Sequence, residues 1–154
     1  MTASDRSPFP SIAAELLHTI SVALPKLRTI SEARATEPRA PGKWSPKQVI
    51  GHLIDSASNN HQRFVRAQQV IELKFPPYAQ DLWVAAQHYN DRSWDDILAL
   101  WHAYNLHLAH VISRIPEEQR TVPCTIESSS PVTLGFLAHD YVVHLRHHLA
   151  QVDA

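Results

Sequence analysis

Three glycines in 154 residues leave this chain few places where the backbone can adopt a positive φ or let another group approach the main chain closely. The usual share is about 7%. Tight hairpins and phosphate-cradling loops both draw on glycine, so the shortage favours helices and disfavours nucleotide binding. No G-x-x-x-x-G-K or G-x-G-x-x-G pattern occurs. Apolar residues make up 44% of the chain, enough for a true core. Fourteen Lys and Arg against fifteen Asp and Glu give a net charge of -1, without the basic excess of a nucleic-acid surface. A single cysteine, Cys124, excludes a disulfide scaffold and a Cys-rich zinc module. The start carries no signal-peptide pattern, and no apolar run approaches the ~18–20 residues that span a bilayer. These features read as one soluble, cytoplasmic domain over residues 1–154, with neither nucleic acid nor membrane as partner.

Hydrophobic periodicity divides the chain into four long helices. Residues 11–30 carry Ile12, Leu16, Leu17, Ile20, Leu24 and Leu27 at helical spacing, and Pro25 is expected to kink or break that helix near its end. Residues 32–43 read as a Pro-rich charged loop. Ser45-Pro46-Lys47-Gln48 is a strong helix start, with Ser45 as cap, Pro46 in the first turn and Gln48 completing a capping box. The spacing of Val49, Leu53, Ala57, Phe64 and Ile71 predicts a helix to about Leu73. Residues 79–89 read as a short helix or an irregular crossover. A second capping box at Ser93-Trp94-Asp95-Asp96 opens the third long helix, with Ile97, Leu100, Trp101, Tyr104, Leu108, Val111 and Ile115 on its apolar face. Residues 116–130 read as a helical turn and polar loop containing Cys124, and residues 133–152 as the last helix. No strand pattern and no internal repeat is visible, so an all-α, up-and-down four-helix bundle is the natural solution, with longer crossovers also open.

Histidine is the other compositional extreme, at 11 residues. On the last helix His148 falls about 40° and His144 about 80° from the centre of the apolar stripe, while His139 and His147 fall roughly 140° away. His144 and His148, four apart, therefore stack on one face toward the bundle. That is how one helix offers two imidazoles to one metal ion. His52 flanks the apolar stripe of the second long helix and supplies a third candidate ligand; His61 is out of phase and reads as exposed. Three histidines on two rigid helices leave a coordination position open, as catalytic metal sites do. Asp55, Asp140 and Gln151 are placed to orient rings through their second nitrogens. The plainer reading, histidines that only hydrogen-bond within a core, remains open on spacing alone. His18, His88, His102, His107 and His110 read as surface residues, and Cys124 as an ordinary small residue. Trp44, Trp83, Trp94 and Trp101 read as packing anchors. Arg63, Arg66, Arg146 and Lys74 are either pocket cations for an anionic substrate or solvated charges.

The run Trp44-Ser45-Pro46-Lys47-Gln48-Val49-Ile50-Gly51-His52-Leu53-Ile54-Asp55 resembles the W-S-x-x-x-V-x-x-H-L-x-D signature of the DinB/YfiT-like superfamily. The ending His144-Leu145-Arg146-His147-His148-Leu149-Ala150-Gln151 is similar to its terminal H-x-x-H-H-x-x-Q motif. The resemblance spans nearly the whole chain. It implies a single DinB-like four-helix bundle over residues 1–154, commonly a homodimer, with a divalent metal on His52, His144 and His148. Members of known role include thiol-dependent transferases and isomerases. The function implied is a divalent-metal-dependent enzyme, a hydrolase or a thiol-dependent S-transferase, acting on a small molecule that includes thiols among its candidates. Imidazole ligands suit zinc, nickel, iron and copper, with zinc and nickel the first expectation and iron the next. The metal would lower the pKa of a water or a substrate thiol at its open position. The Glu of an H-E-x-x-H motif is missing, since Leu145, Arg146 and His147 fill that interval, so no general base is assigned. The alternative is a non-catalytic, stress-related bundle that binds a metal or small ligand.

Overall fold

The computed structural model describes residues 6–127 and 129–152, so the ends of the expected 1–154 domain and one residue of the 116–130 loop lie outside it. Four long helices dominate: α1 (Phe9–Arg28), α3 (Pro46–Ala67), α5 (Trp94–Ser113) and α6 (Leu134–Val152). Two short ones, α2 (Glu32–Thr36) and α4 (Gln80–Gln87), sit in the connections. Among the described residues, no helix is long and apolar enough to cross a membrane.

The caps act where the sequence places them. Ser45 Oγ accepts from the Gln48 backbone N–H at 3.2 Å, and Gln48 Oε1 accepts from the Ser45 N–H at 2.9 Å, a complete capping box. At Ser93 only half forms: Oγ accepts from Asp96 N–H at 3.1 Å. Asp96, one methylene shorter than the Glu or Gln of such a box, turns instead to Arg92. Pro25 does not break α1, which runs through it to Arg28. Its missing N–H would have bonded the Ser21 carbonyl, which lies on an exposed stretch of the helix open to solvent.

The bundle is not a simple up-and-down circuit. α1 packs on α5 and α6, and α3 packs on the same two helices. Consecutive long helices α1 and α3 thus lie across a diagonal, as do α5 and α6. Connections over residues 29–45 and 114–133 are long enough to cross an end of the bundle rather than turn back to a neighbour. The first crossover is pinned by Glu32 of α2. Its carboxylate pairs with the buried Lys47 ammonium and accepts from the Trp94 backbone N–H at 2.8 Å. Trp94 in turn donates its indole N–H to the Leu27 carbonyl at 3.0 Å. Four helices, α1, α2, α3 and α5, are tied at one corner by these bonds, and the expected loop over residues 32–43 contains a five-residue helix that holds that carboxylate.

Two further expectations are corrected. α3 ends at Ala67 rather than near Leu73, and Ile71 is 95% exposed. Ile71 follows Phe64 by seven residues, so it imitates two more turns of the apolar stripe. The chain instead leaves the helix to form β1 (Leu73–Phe75), which pairs parallel with β2 (Pro123–Ile126); β2 pairs antiparallel with β3 (Val132–Thr133). Strands of two to four residues are too short to show a period of two, and their pairing joins distant segments. Cys124, expected in a loop, is buried on β2, where burial pushes its thiol up to about 11. A thiol so placed is a packing residue at neutral pH, as expected.

Candidate metal centre

Packing α3 against α6 brings His52, His144 and His148 together. The Nε2 atoms of His52 and His144 are 3.3 Å apart, and those of His148 and His144 are 3.1 Å apart. One ligand atom from each of the three residues lies within 4.8 Å of the others, and no other such group of His, Cys, Asp or Glu occurs among the described residues. His52 is buried at 1% exposure, and the two α6 rings are partly buried.

Neutral imidazoles alone fit this arrangement poorly. Each Nε2 carries either a proton or a lone pair, so His144 Nε2 makes one good hydrogen bond, not two. A metal ion accepts all three lone pairs at once. With metal–nitrogen bonds of about 2.0–2.1 Å, tetrahedral ligands stand about 3.3 Å apart and octahedral ones about 2.9 Å, which brackets the two spacings that His144 makes. The residues present therefore fit a divalent metal. His148 is prepared for that role: its Nδ1 lies 3.0 Å from Gln151 Oε1. An amide oxygen only accepts, so Nδ1 carries the proton and Nε2 the lone pair.

The site holds its rings neutral. Burial, then repulsion from His148 and His144, lowers the His52 pKa to about 3. Burial, then His148 and His147, lowers His144 to about 4. Burial also lowers His148, partly opposed by the Gln151 bond. In the unfolded chain these rings titrate near 6.5. Above that pH both states are neutral and the rings do not affect stability. Below it the unfolded state takes up protons that the folded state refuses, so stability falls with falling pH until the folded pKa values are reached. Metal-free protein is expected to lose stability between pH 6.5 and 4, at up to about 1.4 kcal/mol per pH unit for each ring. Urea melts across that range test this; a midpoint that holds steady from pH 6.5 to 4 would contradict it.

Of the expected ring partners, only Gln151 takes the role. Asp55 makes no hydrogen bond to His52: its Oδ1 accepts from Tyr89 Oη and from Gln87 Nε2, each at 2.7 Å, and its Oδ2 and the His52 Nδ1 are both buried without a partner. Asp140 is exposed on the rim of a cavity beside His144. His61, expected on the surface, is partly buried, with Nδ1 2.8 Å from Tyr104 Oη. His147 is exposed, as its phase requires. Trp94 and Trp101 are buried anchors, and the Trp44 ring lies 5.1 Å from that of His52.

Space adjoins the cluster on both sides. A cavity of about 120 Å³ borders His144 and is lined by Ser56, Asn60, Arg63, Tyr78, Asp140 and Tyr141 among others. A wider cleft of about 280 Å³ borders His148, between Arg39, Lys43, Trp44 and Asp81. Of the four cations considered from sequence, only Arg63 lines the cavity beside the histidines. Arg66 and Lys74 border a different groove, and Arg146 bonds Thr19 and Glu15 on α1. Sequence reasoning missed Ser56 and Asn60, although a signal exists. At 100° per residue, residues 52, 56, 60 and 63 all fall within about 80° of one another, a polar stripe running from His52 along α3. Tyr78 gives no such signal, because it lies in an irregular connection.

The family model for the DinB superfamily matches residues 15–152. The chain belongs to the DinB superfamily. Its fold is similar to that of YfiT from Bacillus subtilis, a protein described as "a probable metal-dependent hydrolase with an unusual four-helix bundle topology". The two share 20% sequence identity with a TM-score of 0.80 over 94% of this chain and 82% of that one. No curated protein matches the sequence significantly.

Proposed function

We propose that His52, His144 and His148 hold one divalent metal ion through Nε2 and that the protein is a metal-dependent enzyme, a hydrolase or thiol-dependent transferase acting on a small molecule. The observation that carries this reading is the convergence of three neutral imidazoles, with His144 Nε2 3.3 Å and 3.1 Å from the other two Nε2 atoms, beside a cavity of about 120 Å³. The description of YfiT as "a probable metal-dependent hydrolase" supports it. Three protein ligands leave room for a further one, which suits a working site better than a storage or sensing site closed on all sides. The bound ion would supply Lewis acidity, lowering the pKa of a water or thiol. Zinc and nickel are the first candidates and iron the next, since all accept imidazole. A homodimer is part of the same reading.

The chain's own residues have separable tasks. His52 comes from a rigid helix packed against α6 and excludes water from the inner side of the site. Gln151 fixes the His148 tautomer, so Gln151→Leu is expected to weaken metal affinity by roughly 10–100-fold without unfolding the bundle. Competition with a chromogenic chelator measures this; unchanged affinity would remove Gln151 from the site.

Elemental analysis of tag-free protein, beside His52→Ala and His144→Ala variants, tests the whole reading. About one transition metal per chain, lost from both variants, is the expected result. Protein that neither carries metal nor takes up zinc, nickel or iron overturns it. Metal-loaded protein is then assayed on ester, amide and phosphoester hydrolysis and on thiol transfer, each with and without the ion.

A further inference from the structure

The cavity beside His144 contains a charge that the fold leaves unanswered. Arg63 projects from α3 into its wall. Its Nε is buried and has no hydrogen-bond partner, and no ion pair involves Arg63 among the described residues. A buried guanidinium N–H without an acceptor is a standing penalty, relieved by an anion or by water. Burial lowers the pKa of the group, which again marks a cation held where its charge is poorly solvated. The Phe75 ring of β1 lies 5.4 Å from the Arg63 Cζ and supports the guanidinium by a cation–π contact. Tyr78, Ser56 and Asn60 add hydroxyl and amide groups to the same wall. Asn60 Nδ2 is already engaged, donating to the Ser56 carbonyl at 2.9 Å and to Ser56 Oγ at 3.4 Å, so Asn60 orients Ser56 rather than offering a donor of its own.

We propose that Arg63, with Tyr78 and Ser56 beside it, is the binding subsite for a carboxylate group of the substrate, one α-helical stripe away from the metal ligands. The proposal rests on the metal-dependent reading above and names the class of its substrate: a small carboxylate-bearing molecule whose reacting group reaches the histidine cluster while its carboxylate rests on Arg63. The guanidinium fork presents two parallel N–H donors, the geometry that a carboxylate accepts in a bidentate manner. A phosphate dianion suits the cavity less well, because Asp140 borders the same space and repels the second charge. The wider cleft beside His148 has its cations, Arg39 and Lys43, on an exposed loop. Arg39 there already donates to the Gln151 carbonyl at 2.5 Å, so no orphaned donor marks that side.

The test uses acetate as probe and reads the Arg63 Nε–Hε resonance by NMR, at constant ionic strength set with chloride, in metal-free and zinc-loaded protein. A saturable shift with a Kd on the order of millimolar is expected for so small a ligand. Acetamide, the same shape without the charge, is expected to give none. Arg63→Lys keeps the charge but loses the fork and is expected to bind acetate roughly tenfold more weakly. Arg63→Met is expected to lose the saturable response seen at neighbouring residues. No saturable shift in wild type, equal responses to acetate and acetamide, or tighter binding of inorganic phosphate than of acetate each overturns the carboxylate subsite. If Arg63→Met fails to fold, the wild-type comparison and the Lys variant still decide. The two readings fail separately. Zinc uptake without an acetate response sinks the subsite and spares the metal centre, whereas an acetate response in protein that takes up no metal does the reverse.

Discussion

Replacing His144 with alanine is expected to abolish stoichiometric metal binding while leaving the bundle folded. His144 is the middle member of the cluster, with its Nε2 3.3 Å from His52 and 3.1 Å from His148. Removing it leaves two ligand candidates, one on each helix, and enlarges the adjoining cavity that its ring borders. The loss should exceed 100-fold in affinity, beyond the roughly 10–100-fold that follows loss of a hydrogen-bond partner to a ligand. Stability moves the other way at acid pH. The substitution deletes a ring that the fold keeps neutral down to about 4, so metal-free His144→Ala protein should lose less stability than wild type below pH 6.5. Metal analysis and urea melts at pH 7 and pH 5 check both halves. A variant that still carries one equivalent of metal would place the ion elsewhere.

Gly51→Ala is expected to destabilise the protein although it adds a helix-favouring residue in the middle of α3. A Cβ at this position would lie 2.2, 2.4 and 2.5 Å from three carbons of the Tyr89 ring. Tyr89 cannot swing aside freely: it is buried, and its hydroxyl donates to Asp55 Oδ1 at 2.7 Å. Burial and the Asp55 contact both push the phenol pKa far up, so the hydroxyl keeps its proton. Relief of the clash requires α3 to part from the turn that carries Tyr89, one residue from His52. Overpacking of this kind costs about 1–3 kcal/mol or more, against roughly 1 kcal/mol gained in helix propensity. A net loss of up to about 2 kcal/mol lowers Tm by as much as roughly 4–8 °C in a domain of this size. In a Tyr89→Ala background the same change should be neutral or stabilising. Additive effects in that double-mutant cycle would show that the ring contact is not the cause.

The faces on which the three clustered histidines stand are legible in the sequence because their signal is local. His144 and His148 share a face by helical geometry alone, and the caps at Ser45 and Ser93 are read within four residues of themselves. Partners across the bundle were not legible. Asp55 stands three residues after His52 and looks like its orienting group, but Tyr89 and Gln87, on the far side of a crossover, take the carboxylate. Arg63 was one of four equivalent cations in the sequence. Only the folded chain sets it into the cavity beside His144 while placing Arg66, Lys74 and Arg146 elsewhere. The short strands went unseen because a pairing such as Leu73 with Cys124 leaves no periodic trace in either segment.

By itself, then, the sequence determined the four long helices, most of their ends, and the faces on which their histidines stand, since backbone hydrogen bonds, caps and the 3.6-residue period act within a few residues. Tertiary structure alone decided that α3 lies against α6 rather than diagonal to it. With that, it decided that residues 92 apart in the chain meet at 3.3 Å. Such a meeting depends on how two long crossovers route the helices and on which faces pack best together. Those terms are sums over the whole chain that no local window contains.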